Sequence, residues 1–226
     1  ERFALLEATG AKTPTTSPPA YGILVEARSE TRDVWVRGLV QGVRISADHN
    51  RNPPTNANLW RLHNVVISAT EHDGIFVDGG DANGGVAVAP NATSACSRGS
   101  AWAGTLGPCA CIVMSDFIGS TLIAAHASGS FDSETGANFP NYAFDGAGQK
   151  SVCVGCYSES DNVPPQLAPN TMWLGSTALL GLGGYRQAGP IIAGAKIENR
   201  KDPANVTSLA LGDQTNLGGA IWSVTH

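Results

Sequence analysis

The stretch Leu62 to Gly80, LHNVVISATEHDGIFVDGG, constrains the fold more than any other part of the chain. It holds two short alternating apolar runs, Val65 to Ser68 and Ile75 to Val77, each too short for a helix and each readable as a strand. Between them the charged corner Glu71-His72-Asp73-Gly74 supplies the turn, because glycine tolerates backbone angles that strain other residues. The same order of strand, glycine-marked corner and strand returns in Val34 to Ser46 and in Ile112 to Ala124. A unit of this kind cannot bury its own apolar face and must stack on a neighbour, so the repetition predicts a solenoid. Corresponding apolar positions are expected at Leu39, Val66, Phe117 and Tyr157, and their unequal spacing predicts loops of different length leaving the stack.

Asn64-Val-Val-Ile-Ser68 followed by Asp73-Gly-Ile-Phe-Val77 resembles the pectate-lyase-like right-handed parallel β-helix superfamily, which includes bacteriophage tailspike and tail-fibre proteins and secreted polysaccharide-active proteins. The resemblance runs from residue 31 to 185 and implies an all-β, right-handed parallel β-helix with loop excursions and a terminal β-rich segment. The expected organisation is an N-terminal cap or loop over 1–20, the β-helix over 21–189, and final coils or a closing, oligomerising segment over 190–226. Such an architecture hosts lyases, hydrolases, epimerases and pure binders, so it does not fix the chemistry.

Composition agrees with many short strands joined by turns: 27 Gly and 13 Pro accompany only 15% charged residues. The formal net charge of −5 argues against nucleic acid, which demands clustered Lys and Arg. No apolar run approaches the ~20 residues of a membrane span, so no membrane insertion is expected. The chain opens on Glu1 rather than Met, which suggests a processed product or part of a longer polypeptide.

Five cysteines leave at least one outside any internal disulfide. Cys96 and Cys109 bracket a small-residue loop that a bridge would close. Zinc is the alternative, through Cys109-x-Cys111 and Cys153-x-x-Cys156. Strand alternation favours a third reading, in which Cys153 and Cys156 point to opposite faces as buried thiols. No cofactor is otherwise expected. Asp78-Gly-Gly-Asp81-Ala-Asn83 offers oxygens suited to calcium but lacks a closing Glu, so a turn stabilised by Asp and Gly is the preferred reading.

Glycosidic hydrolysis uses two carboxylic groups, and stacked coils could supply them from Glu71, Asp73, Asp116 and Glu159. Each acid alone also suits an exposed turn. A lyase would want a Lys base, in which this chain is poor, so a glycoside hydrolase ranks above a polysaccharide lyase. His72, between two acids, and Phe131, Tyr142, Phe144 and Tyr157 are the expected substrate contacts, since rings cover the apolar faces of sugars while polar groups bond the hydroxyls. The loop aromatics could instead anchor the loop to the coil. The expected function is therefore a carbohydrate-recognising module of an extracellular or virion appendage that binds a surface polysaccharide or cell-surface glycan, as a homotrimer. A polysaccharide-cleaving enzyme and a purely structural shaft are the alternatives. If the four acids share one solvent face beside Phe131 to Phe144, that groove is the site.

Overall fold

A computed structural model describes residues 4–7, 20–47, 54–116, 119–144, 151–161, 163, 172–174, 177–180, 191–193 and 196–199. Within these the chain is all-β with parallel sheets and one curled, half-barrel face. A five-stranded sheet contains β2 (Tyr21–Val25), β4 (Gln41–Ser46), β6 (Ile75–Gly79), β9 (Ile112–Asp116) and β12 (Tyr142–Phe144). A thirteen-stranded sheet takes the remaining strands: β1 (Ala4–Glu7), β3 (Glu30–Arg37), β5 (Arg61–Ser68), β7 (Val86–Val88), β8 (Asn91–Thr93), β10 (Thr121–Ile123), β11 (His126–Ser128), β13 (Val152–Val154), β14 (Tyr157–Asp161), β15 (Met172–Leu174), β16 (Thr177–Leu180), β17 (Ile191–Ala193) and β18 (Lys196–Asn199). From β2 to β14 the chain alternates between the two sheets. All pairings between these strands are parallel.

The repeated grammar of the sequence is therefore real, and its corners fall between sheets: β3 to β4, β5 to β6, and β9 to β10. The large sheet divides where β5 pairs with β7 through its first half and with β8 through its second. The division follows a column of left-handed residues, Asp33, Asn64, Ala89, Ala124 and Gly155, aligned across successive strands. A second such column, Gly38, Ala69, Ser94 and Gly129, closes the far end of each pass. Its amides donate onward to the next strand, as in Ala69 N to Thr93 O at 3.1 Å and Ser94 N to Ser128 O at 2.8 Å. Several of these residues are not glycine, so the bend is imposed by stacking at a local cost of about 1 kcal/mol each.

Two predicted features are corrected here. The Gly- and Ala-rich text of residues 79–110 reads as a loop excursion, yet it holds β7 and β8 before helix α1 (Gly99–Leu106). Three-residue strands in Gly/Ala-rich text carry too little alternation to be seen. The column of corresponding positions also differs, since Val66 and Tyr157 share it with Trp35, Asn91 and His126. Leu39 packs instead against the core, and Phe117 lies outside the described residues, as do most of the expected 1–20 cap and the 200–226 segment.

The core lies between the sheets. On the five-stranded side it stacks Val43, Ile75, Ile112 and Tyr142 in one column and Val25, Ile45, Val77, Met114 and Phe144 in the next. Facing them the large sheet narrows from Val36 and Ile67 to Ala92, Ala127 and Ser158. Where that wall is bulky, the smaller sheet has no side chain: a Cβ on Gly22 would meet Val36 at 2.4 Å, and one on Gly42 would meet Ile67 at 2.4 Å and the Gly74 oxygen at 2.6 Å. Where the wall becomes alanine and serine, the aromatic rings of Tyr142 and Phe144 fill the space, stacked with centroids 6.3 Å apart. Both rings, expected in an exposed sugar-binding loop, are core residues at 0% and 2% exposure. The Tyr142 hydroxyl reaches the carbonyls of Ala125 and Tyr157 at 3.0 and 2.9 Å.

Two disulfides are present, Cys96–Cys109 and Cys153–Cys156. The second corrects the expectation of opposed thiols, because the left-handed Gly155 turns the chain between β13 and β14 and brings both sulfurs inward. Cys111 is buried outside both bridges and touches Ser130, whose hydroxyl lies 2.9 Å from its sulfur.

Candidate functional site

The acidic corner after β5 is a structural hub. Glu71, His72 and Asp73 are 6%, 0% and 0% exposed. Glu71 Oε2 accepts from Trp102 Nε1 at 2.9 Å and from Arg98 at 3.4 Å, which fixes α1 over the corner. Asp73 accepts from Gln41 Nε2 at 2.6 Å and from the Ala110 amide at 3.1 Å, and its Oδ2 lies 2.7 Å from His72 Nδ1. The other ring nitrogen of His72 faces the Gly107 carbonyl at 3.1 Å. Every other neighbour of the carboxylate is a donor, and both ring nitrogens of His72 face oxygens. His72, Asp73 and Cys109 lie within 4.8 Å of one another, but the Cys109 sulfur is committed to its disulfide and offers no thiolate to a metal.

The loop that follows β11 locks the same excursion from its other side. Asp132, 1% exposed, accepts backbone hydrogen bonds from Ser100 at 2.8 Å, Glu134 at 2.9 Å and Thr135 at 3.0 Å. Ser100 stands in the first turn of α1, whose own N-cap residue Arg98 contributes no side-chain cap. A carboxylate from a later segment therefore meets the positive end of the helix. Burial raises the Asp132 pKa, but these hydrogen bonds outweigh it and bring the carboxyl from 3.8 down to about 2. A depressed folded-state value means that the stabilisation, ~2 kcal/mol, is present above about pH 4 and lost as pH falls toward 2. In urea titrations Asp132→Asn should be less stable than the parent by about that amount at pH 7, with the gap closing at pH 2. A gap that is the same at both pH values would refute the assignment.

The four acids do not form the expected groove. Glu71 and Asp73 lie beneath α1, whereas Glu159 is 43% exposed on the outer face of the large sheet. The Asp116 side chain lies outside the described residues. Phe131 is 44% exposed on the α1-binding loop. Asp78, part of the run suited to calcium, bonds Arg44 at 2.8 Å, and that guanidinium stands 5.6 Å from the Tyr21 ring centroid and 4.9 Å from that of Phe76.

The outer face of the second half of the large sheet is different in character. One column reads Trp35, Val66, Asn91, His126 and Tyr157, and the next reads Arg37, Ser68, Thr93, Ser128 and Glu159. Trp35 is 37% exposed and its indole donates to Ser68 Oγ at 3.2 Å. The His126 and Tyr157 rings stack at 5.2 Å. His126 Nε2 stands 3.7 Å from Glu159 Oε2, beyond hydrogen-bond reach, and both it and Asn91 Oδ1 one strand below are buried without a hydrogen-bond partner. Unpaired polar atoms on adjacent rungs are uncommon in folded proteins and need an explanation.

No protein-family model, curated protein or solved structure matches this chain. The face must be read from its own chemistry.

Of the expected contacts, Tyr157 and Glu159 belong to this ladder and His72, Tyr142 and Phe144 do not. Sequence reasoning missed Trp35, Asn91 and His126. A usable signal was present in the triplets Asn91-Ala-Thr93, His126-Ala-Ser128 and Tyr157-Ser-Glu159, each a polar or aromatic residue, a small inward residue and an oxygen-bearing one. The first triplet also has the Asn-x-Thr form of a glycosylation acceptor. Among the described residues no helix is long and apolar enough to cross a membrane.

Proposed function

We propose that the chain is a carbohydrate-recognising module and that glycan lies along the Trp35–Tyr157 and Arg37–Glu159 columns. The observation that carries this reading is the His126–Tyr157–Glu159 group, two stacked rings beside an exposed carboxylate. A sugar hydroxyl seated there donates to Glu159, while the sugar's apolar face covers Tyr157 and His126 holds that ring in place. Strands stacked about 4.8 Å apart repeat these groups regularly, which suits a chain polymer better than a single small molecule.

Parallel pairing throughout the described strands and the alternation between two sheets also support the finer fold reading, a right-handed parallel β-helix resembling those of phage tailspike and tail-fibre proteins. That reading carries with it an extracellular or virion setting and assembly as a homotrimer. Cleavage of the bound glycan stays an alternative through Glu159, the one exposed member of the four candidate acids whose side chain is described.

The test is a panel of bacterial surface polysaccharides screened for binding, followed by Tyr157→Ala and His126→Ala. Each variant should keep the parent's thermal midpoint within a few degrees and weaken glycan binding ten-fold or more. Binding that survives both substitutions, or no binding to any member of the panel, would remove the proposal.

A further inference from the structure

A second polar opening lies at the start of β3 and β5, a cleft of about 420 Å³ lined by Arg28, Ser29, Glu30, Leu59 and Arg61. It shares no residue with the glycan ladder. In a chain of net charge −5, two guanidinium groups converging on one opening are a local reversal of sign. The one carboxylate in the lining is already engaged: Glu30 pairs with Arg32 and lies 3.2 Å from His63 Nε2. Arg61 is held in place from behind, its Nη1 donating to the carbonyls of Leu59 at 3.1 Å and Trp60 at 2.9 Å. That leaves the other edge of its planar fork for a ligand. Arg28 is exposed, and its side chain makes no hydrogen bond or ion pair among the described residues.

Leu59 completes the opening in an unusual way. Its φ of 63° is in the left-handed region, which a leucine occupies only when its surroundings impose it, and its side chain is 43% exposed. The neighbouring Gly84 leaves room for it, since a Cβ there would lie 3.2 Å from Leu59 Cδ2. The backbone thus presents an apolar surface beside two cations, and strained backbone and an apolar lining with a few polar groups are both features of ligand sites.

We propose that this cleft binds an organic carboxylate, with the carboxyl group forked between Arg28 and the open edge of Arg61, the Ser29 hydroxyl beside it, and the carbon frame lying on Leu59. An acidic sugar has both parts, and the cleft then selects uronate-bearing glycans, a specificity added to the ladder and separable from it.

The experiment is a ¹⁵N–¹H NMR titration of the whole chain with glucuronate, glucose and inorganic sulfate in turn. Glucuronate should shift the amides of Arg28, Leu59 and Arg61, and glucose should leave them in place. Arg28→Gln should weaken the effect ten-fold or more, whereas Glu30→Gln, which removes the remaining negative charge, should strengthen it. Equal shifts with sulfate at the same concentration would mean a general anion locus and would overturn the assignment to carboxylates. Glucuronate shifts confined to His126 and Tyr157 would overturn the cleft while leaving the ladder standing. Cleft shifts with no polysaccharide binding at the ladder would do the reverse.

Discussion

Replacing Gly42 by alanine is expected to cost at least 3 kcal/mol, although it adds a single methyl group. The new Cβ would sit 2.4 Å from the Ile67 side chain and 2.6 Å from the Gly74 carbonyl, and the second of these is corner backbone held by the Val43 amide at 2.8 Å, so it cannot easily turn aside. Overpacking of a well-filled core usually costs about 1–3 kcal/mol, and a clash with hydrogen-bonded backbone belongs at or above the upper end. Gly104→Ala is the matched control: nothing lies within 4 Å of its Cβ, and it sits inside α1. There alanine should stabilise by up to about 1 kcal/mol. Chemical denaturation of the two variants gives the comparison directly, and a Gly42→Ala protein within 1 kcal/mol of the parent would show that the sheets do not approach as closely as described.

Asp73→Ala should be comparably damaging, at about 3–5 kcal/mol, because it strips the acceptor from a buried group of donors. His72 Nδ1, Gln41 Nε2 and the Ala110 amide all lose their partner at once. Hydrogen exchange should rise across residues 94–111, which the corner holds down. The outcome separates two roles for this residue. A general acid or base in an open cleft would tolerate Asp73→Asn in folding and lose only turnover. A structural acceptor predicts the opposite, with Asp73→Asn already unstable because its amide presents donors where Asp73 offered an acceptor to Gln41 or Ala110. Unchanged stability in both variants would refute the structural role.

The strands with clear alternation were legible because their physics is local. Val65 to Ser68 and Ile75 to Val77 announce themselves by period two, and the Asp73-Gly74 corner by turn chemistry. The short strands Asn91-Ala-Thr93 and His126-Ala-Ser128 were not legible, since their inward residue is alanine and nothing in three residues reveals an alternation. Their assignment depends on the neighbour above and below, which is information that only stacking supplies. The acids illustrate the same limit. Glu71 and Asp73 look like surface turn residues or catalytic groups, because the helix that buries them comes twenty-six residues and more downstream. Tyr142 and Phe144 were read as loop aromatics from the Gly, Asn and Pro around them, whereas their burial follows from the shrinking of the opposite wall to Ala127 and Ser158. Tyr157 and Glu159 stood among the expected residues because Ser151 to Glu159 reads as a further coil strand, and the register places them in two neighbouring columns of one face.

The cap that Asp132 places on α1 has a consequence for how the chain is made. Ser100 and Asp132 are 32 residues apart, so synthesis from the N-terminus delivers the helical segment well before the carboxylate that meets its first turn. Eight residues are too few to hold a helix in water unaided, and this segment has no acidic residue of its own in the first turn. While the ribosome is still adding residues 107–131, Trp102 and Arg98 can reach the Glu71 already in place, but the helix start has nothing to close it. Construction therefore runs one storey behind itself: each excursion is finished by the pass that comes after it, and a nascent chain halted before Asp132 presents a sheet whose side attachment is still unfastened.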